Sequence, residues 1–352
     1  MKEKIVSIGF IIILFCFSGL FIIKKDESLS NVERRKLKTK DVLKKDFVNN
    51  LEDYLSDQFP MRNSLIQLNT FFERYLLQQK DSNDVYIKEE VLIEKNYPKN
   101  QESIKNFIKK INEINAKDLQ NSEVYYAIIP DKSYFLEETK HLKMDFLSIY
   151  QQLKNELNLK EIPVRDLFTL EDYYQTDIHL RQEKYPKVVE RLGSVLDFDY
   201  KPSTYETNHF YPFYGASYQK APLFRNPESI TYLTNETIKK AKAKHLEYGE
   251  QPIYETDKLN SMDAYNVFLG GPSALIEIEN PEASNEKELI IFRDSFASSL
   301  TPLLISEYQK ITLIDLRYIS MNQIRERINF NNKEVLFLYS TLIVNNSHLL
   351  KN

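Results

Sequence analysis

The run Glu288-Leu289-Ile290-Ile291-Phe292 reads as a buried strand that ends in Arg293-Asp294-Ser295, and a helix-forming stretch, Phe296 to Lys310, begins at once. In an open α/β sheet the reactive crevice lies at the carboxyl ends of the strands, and the helix amides that follow can stabilise an oxyanion. Ser295 therefore stands where a nucleophile would. The same segment supports a plainer alternative, in which Asp294 or Ser295 simply caps the helix.

A serine nucleophile needs a base within hydrogen-bond reach and a group that orients the base. The chain has 5 histidines. His141, His209, His245 and His348 lie in polar or irregular surroundings, where a solvated imidazole is the default. His179 differs: it precedes an amphipathic stretch, and Asp177 stands two positions earlier in Tyr174-Gln175-Thr176-Asp177-Ile178-His179. In an extended segment residues two apart share a side, so Asp177 is placed to orient His179. Asp-x-His also recurs by chance, and it can supply two metal ligands, but no third ligand cluster accompanies it, so no metal is expected. Glycine is scarce, at 7 in the chain, which draws attention to Gly270-Gly271. Adjacent glycines permit close backbone approach or positive φ, so their amides can line an anion site; an ordinary turn is the alternative. There is no P-loop and no dinucleotide fingerprint, which argues against nucleotide binding.

The elements that must position these residues follow from periodicity. Strand-like runs at Val85 to Ile87, Val91 to Ile93, Val124 to Ile129, Glu161 to Val164, Glu288 to Phe292, Ile311 to Ile314 and Val335 to Tyr339 alternate with helical patterns at about 101–116, 143–158, 181–196, 302–309 and 321–328. Near-continuous apolar strands separated by helices predict a mostly parallel, doubly wound α/β sheet covered on both faces. Between about 201 and 283 the alternation lapses into a tyrosine-rich stretch, read as an irregular insertion beside the sheet. Ahead of the α/β domain (81–352), residues 41–80 read as two amphipathic helices broken near Phe59-Pro60, the first running through Leu43, Phe47 and Leu51. Residues 26–40 read as a polar linker.

Ile5 to Ile23 is a charge-free apolar run within the first 25 residues, flanked by Lys4, Lys24 and Lys25. Its length suffices to cross a bilayer, and no small-residue cleavage site follows, so a signal-anchor is expected. The short stub before it places the body outside the cell. The single cysteine, Cys16, lies in this run, and no intrachain disulfide is possible. Hydrophobic residues make up 42% and charged residues 28%, as in a globular protein, and the net charge of -4 offers no basic face for nucleic acid.

Together these segments resemble the DHHW family of Gram-positive bacteria, related to the SGNH-hydrolase-like O-acetyltransferases of exopolysaccharide pathways, the alginate acetylation proteins among them. Glu33-Arg34-Arg35-Lys36-Leu37 resembles the N-terminal signature and Asp57-Gln58-Phe59-Pro60-Met61-Arg62 the next block. Thr176-Asp177-Ile178-His179 resembles the name-giving motif and Tyr265 to Gly271 a middle block; Asp294-Ser295-Phe296-Ala297 with Ile314-Asp315-Leu316-Arg317-Tyr318 resembles the C-terminal block. Ile178 replaces the first histidine of the motif and Leu180 its tryptophan. The resemblance implies an SGNH-hydrolase-like fold in which Ser295 is the nucleophile, His179 the base and Asp177 its orienting carboxylate. It places Arg317 either at the site, binding acceptor or oxyanion, or in a structural ion pair. The implied activity is acetyl transfer, without cofactor, to a cell-surface or secreted polysaccharide, with a membrane-bound O-acyltransferase supplying the acetyl group. An acetyl esterase and a non-catalytic polysaccharide-binding or scaffold subunit are the rival readings.

Overall fold

The computed structural model describes residues 2–30, 32–41, 47–79, 81–201, 205–223 and 225–351. They divide into two compact units, 1–85 with 218–226, and 86–217 with 227–352.

In the first unit, helix α1 (Lys2–Ile23) contains the stretch Lys4–Ile23, whose mean hydropathy is 2.8 and none of which is buried. Among the described residues it is the one helix long and apolar enough to cross a membrane. Helices α2 (Phe47–Asp57) and α3 (Arg62–Phe71) are separated at Phe59-Pro60, where the proline ring disfavours helix in the residue before it. Leu43, expected at the start of the first helix, lies outside the described residues. Residues 26–40, expected as a polar linker, are tied down through their charges. Leu29–Ser30 and Arg35–Lys36 pair as a short hairpin. Arg35 donates to both carboxylate oxygens of Asp57, at 3.1 and 2.5 Å. Arg62 in turn donates to both oxygens of Glu33, at 2.9 and 2.8 Å. The two signature blocks are thus tied reciprocally, and the fork of each guanidinium matches the carboxylate it grips.

The second unit is built on an eight-stranded sheet. Its elements in chain order are strands β1 (Val85–Lys88) and β2 (Val91–Glu94), helix α4 (Gln101–Asp118), β3 (Glu123–Ile129), α5 (Phe146–Glu156), β4 (Lys160–Glu161), α6 (Pro186–Leu196), β5 (Glu206–Phe213), β6 (Glu228–Thr234), β7 (Lys242–His245), β8 (Gly249–Pro252), β9 (Leu275–Glu279), β10 (Glu288–Arg293), α7 (Phe296–Leu300), β11 (Lys310–Ile314), α8 (Met321–Arg325) and β12 (Glu334–Ser340). The sheet order is β8-β7-β9-β11-β10-β12-β3-β4. All neighbours from β11 to β4 run parallel, and β8, β7 and β9 extend the sheet antiparallel.

Strand alternation covers both faces. Leu289 and Ile291 of β10 face a core completed by Val188, Val189 and Leu192 of α6, whereas Ile290 and Phe292 face one completed by Phe107 and Ile111 of α4 and Leu153 of α5. Each such side chain contributes about 1.5–3 kcal/mol by leaving water. A doubly covered sheet thus accounts for the unbroken apolar reading of β3, β10, β11 and β12.

Two expectations are corrected. The stretch 201–283 is not wholly beside the sheet: β7, β8 and β9 are sheet strands. β7, Lys242-Ala243-Lys244-His245, alternates exposed and buried positions, so its two lysines hid the strand from an apolar-run reading. β5 and β6 do form a separate two-stranded ribbon. The predicted helix after Ser295 is also shorter. α7 ends at Leu300, a 3₁₀ turn follows over Thr301–Glu307, and Lys310 already opens β11.

Candidate active site

β10 ends at Arg293, and the turn into α7 is held by Asp294. Its Oδ1 accepts the Phe296 amide at 3.0 Å and its Oδ2 accepts the Ser340 amide, from the end of the neighbouring β12, at 2.7 Å. The carboxylate thus does the capping work, and the Ser295 side chain makes no cap hydrogen bond. Among the described residues no acceptor takes the Ser295 amide either. Arg293 is fully buried, where desolvation lowers its pKa, and its Nη1 donates to Ser298 at 2.8 Å. Tyr185 donates to the Phe296 carbonyl at 2.9 Å and Gln182 to the Ser299 carbonyl at 2.7 Å, so side chains fix both ends of this short helix.

The Ser295 hydroxyl lies 2.8 Å from Nε2 of His179, a residue 116 positions away in sequence. Nδ1 of the same ring is 2.5 Å from Oδ1 of Asp177. The three side chains form one hydrogen-bonded chain at the carboxyl edge of the parallel strands. His179 and Asp177 sit in a narrow loop pinched by the Tyr173–Leu180 bridge, in which the Tyr174 amide donates to the His179 carbonyl at 3.1 Å. Asp177 is buried, and burial alone would push its pKa up. Opposing this are the attraction and hydrogen bond of His179 and two amides, from Ala216 at 2.8 Å and His179 at 3.1 Å. Together they hold the carboxyl well below the usual carboxylate range.

Several supporting residues were not singled out from the sequence. Tyr265 stacks on the His179 ring, centroids 3.8 Å apart and planes 5° from parallel, and its hydroxyl is 2.8 Å from that of Ser299. Gly215 packs directly on Asp177: a Cβ there would stand 2.2 Å from the aspartate Cβ. Scarcity of glycine, the argument that drew attention to Gly270-Gly271, applied equally to Gly215. Ile178 packs against the core and Leu180 is fully buried in it.

The remaining candidates lie in other surroundings. Arg317 donates from Nε and Nη2 to Asp315 at 2.9 and 2.7 Å, the ion-pair alternative. Among the described residues no hydrogen bond joins it to Ser295 or His179. Gly270 and Gly271 have φ of 66° and 96°, and they pack on the side chains of Glu255 and Asn266. Among the described residues no group of three or more His, Cys, Asp or Glu is arranged to hold a metal.

A hydrogen-bonded Ser–His–Asp arrangement at the strand ends of a doubly wound sheet has the geometry that serine-based acyl chemistry requires. The fold is shared with a solved DHHW family protein from Eubacterium siraeum, at TM-score 0.62 and 18% identity, covering 77% of this chain and 97% of that one. It is shared too with Bacillus cereus PatB1, at TM-score 0.61 and 20% identity, covering 76% and 97%. A structure of PatB1 with a sulfonyl adduct aligns at TM-score 0.57 and 20% identity, covering 74% and 97%. The architecture thus agrees with the DHHW resemblance read from the motifs. No family model and no curated protein matches the sequence.

Proposed function

We propose that the chain is an extracytoplasmic O-acetyltransferase, held in the membrane by α1, that moves an acetyl group through an acyl-serine to hydroxyls of a cell-surface or secreted polysaccharide. The observation that carries this reading is the continuous hydrogen-bonded chain Ser295–His179–Asp177. His179 Nε2 takes the Ser295 proton as the hydroxyl oxygen attacks the acetyl carbonyl, and returns it to the leaving oxygen of the donor as the tetrahedral intermediate collapses. A sugar hydroxyl then gives its proton to His179 and attacks the acyl-serine, and Ser295 recovers its proton as the acetyl ester leaves. Asp177 fixes the tautomer in which Nδ1 carries hydrogen and stabilises the imidazolium formed in each half-reaction. The Ser295 amide is the donor next to the developing oxyanion. The donor is an acetylated membrane-bound O-acyltransferase, in keeping with the DHHW resemblance and the apolar N-terminal helix. The same geometry serves an acetyl esterase when water takes the place of the sugar.

The test uses the full chain in detergent with a chromogenic acetyl ester, and Ser295→Ala as control. Ser295-dependent release, accelerated by an oligosaccharide that becomes acetylated, is expected. Release with water as the sole acceptor would assign an esterase. PatB1 has been solved with a sulfonyl adduct, so a sulfonyl fluoride is a suitable probe here. Absence of both turnover and Ser295 labelling would leave only the polysaccharide-binding or scaffold reading.

A further inference from the structure

Glu228, at the start of β6, lies outside the trio yet touches the loop that carries it. Its side chain is 8% exposed. Oε1 accepts the Thr176 amide at 2.7 Å and the Thr176 hydroxyl at 2.6 Å. Oε2 accepts the Gln175 amide at 2.8 Å and pairs with Arg181 at 3.4 Å. One carboxylate thus receives four donors from both arms of the loop, residues 175–176 and 181. Only an ionised acid offers that many acceptor sites without a competing proton.

From the structure we infer that Glu228 is a positioning residue for the acid–base pair, holding the Asp177 carboxylate between His179 and the 215–217 backbone; the inference rests on the reading of Ser295, His179 and Asp177 as the reacting trio. The connection is direct. The Thr176 hydroxyl that donates to Glu228 also accepts the Gly215 amide, at 2.8 Å. The Thr176 carbonyl accepts the Ser217 amide at 3.0 Å. The next amide between those two, from Ala216, donates to Oδ2 of Asp177. The loop and the segment 215–217, which leads into a 3₁₀ turn after β5, are laced through three consecutive residues, and Glu228 fixes the register. With Gly215 already in contact with Asp177, a shifted Thr176 moves the carboxylate off the Ala216 amide and turns His179 away from Ser295. Arg181 adds the balancing charge, and its guanidinium lies 5.7 Å over the Tyr174 ring.

Glu228→Gln keeps the shape and loses an acceptor oxygen; Glu228→Asp keeps the charge on a shorter arm; Thr176→Val removes the hydroxyl that joins Glu228 to Gly215. Three measurements are made on the full chain in detergent: the rate of Ser295 labelling by a sulfonyl fluoride, the downfield proton resonance of the His179–Asp177 hydrogen bond, and the melting temperature. A misplacement of ~1 Å costs on the order of 100-fold in reaction rate. Glu228→Gln and Thr176→Val should therefore label about tenfold or more slowly, with the downfield resonance broadened or lost, and Glu228→Asp should recover part of both. Labelling at the wild-type rate with the resonance intact overturns the inference. So does a slowing that merely follows the unfolded fraction read from melting. If the wild type itself is not labelled, the reading of the trio fails, and the resonance alone decides whether Glu228 positions the pair.

Discussion

Asp294 holds the turn between β10 and α7 with both carboxylate oxygens, which leaves the Ser295 hydroxyl free to face His179. Adjacent residues that looked interchangeable as helix caps in the sequence therefore have separate tasks, and only the distances tell them apart. Replacing Ser295 by Ala should abolish acyl-enzyme formation, read by mass spectrometry after the acetyl ester is added. Asp177→Asn should lower the rate of ester cleavage by about 10³–10⁴-fold with little change in KM, because the imidazole loses its tautomer and its counter-charge. The Asp177 carboxyl titrates well below its unfolded value of about 3.9. Its stabilising contribution is thus complete above that unfolded value and fades as pH falls through the depressed native one. Acid-unfolding curves of the wild type and of Asp177→Asn should accordingly converge at low pH. Tyr265 lies flat on His179, an aromatic stacking worth about 0.5–1.5 kcal/mol that holds the plane of the imidazole. Tyr265→Leu should slow cleavage about tenfold, and Tyr265→Phe, which keeps the ring, should restore most of the rate. The sequence pointed to Asp177 and His179 by their period-two spacing, but Tyr265 carried no such mark, since stacking on a ring far away in sequence leaves no local pattern.

At the level of elements, the parallel centre of the sheet was legible because its strands are buried on both faces and read as apolar runs. β7 was not, since half its side chains are solvent-facing lysines, and β4 shrank to Lys160–Glu161 because the residues after it turn into a 3₁₀ segment. The loop 173–180 shows the same limit. Its histidine and aspartate were readable as chemistry, whereas the 215–217 turn that grips them comes from within the irregular insertion. Gly215 is the sharpest point of that contact. In Gly215→Ala the new methyl would meet the Cβ, Cα and N of Asp177 at 2.2, 2.6 and 2.6 Å, backbone that cannot yield as a side-chain tip does. Overpacking of this kind costs about 1–3 kcal/mol. The variant should melt at a lower temperature and lose far more activity than its stability loss explains, which parallel melting and ester assays would show.

At the scale of the whole molecule, the N-terminal unit depends on the two crossed guanidinium–carboxylate pairs. Burial raises the Asp57 carboxyl, but the Arg35 hydrogen bond and the Lys38 amide more than reverse this and hold its pKa below the usual value. Asp57→Asn should destabilise this unit by about 1–3 kcal/mol at neutral pH, toward the lower figure because Arg35 is partly in water. Denaturant melts should show the difference shrinking as pH falls through the depressed native pKa. The order of strands in the sheet bears on how the chain is made. β12, the last strand among the described residues, lies between β3 and β10, and the Ser340 amide at its end donates to Asp294. Until residue 340 has emerged, the centre of the sheet is an open slot flanked by two unpaired edges, and the turn at Ser295 lacks the Ser340 contact to Asp294. A growing chain that has not reached β12 thus carries exposed strand edges, a state prone to misassociation. If Ser295 reacts as proposed, labelling by a serine-directed probe applied to nascent chains of increasing length should begin only once β12 is in place.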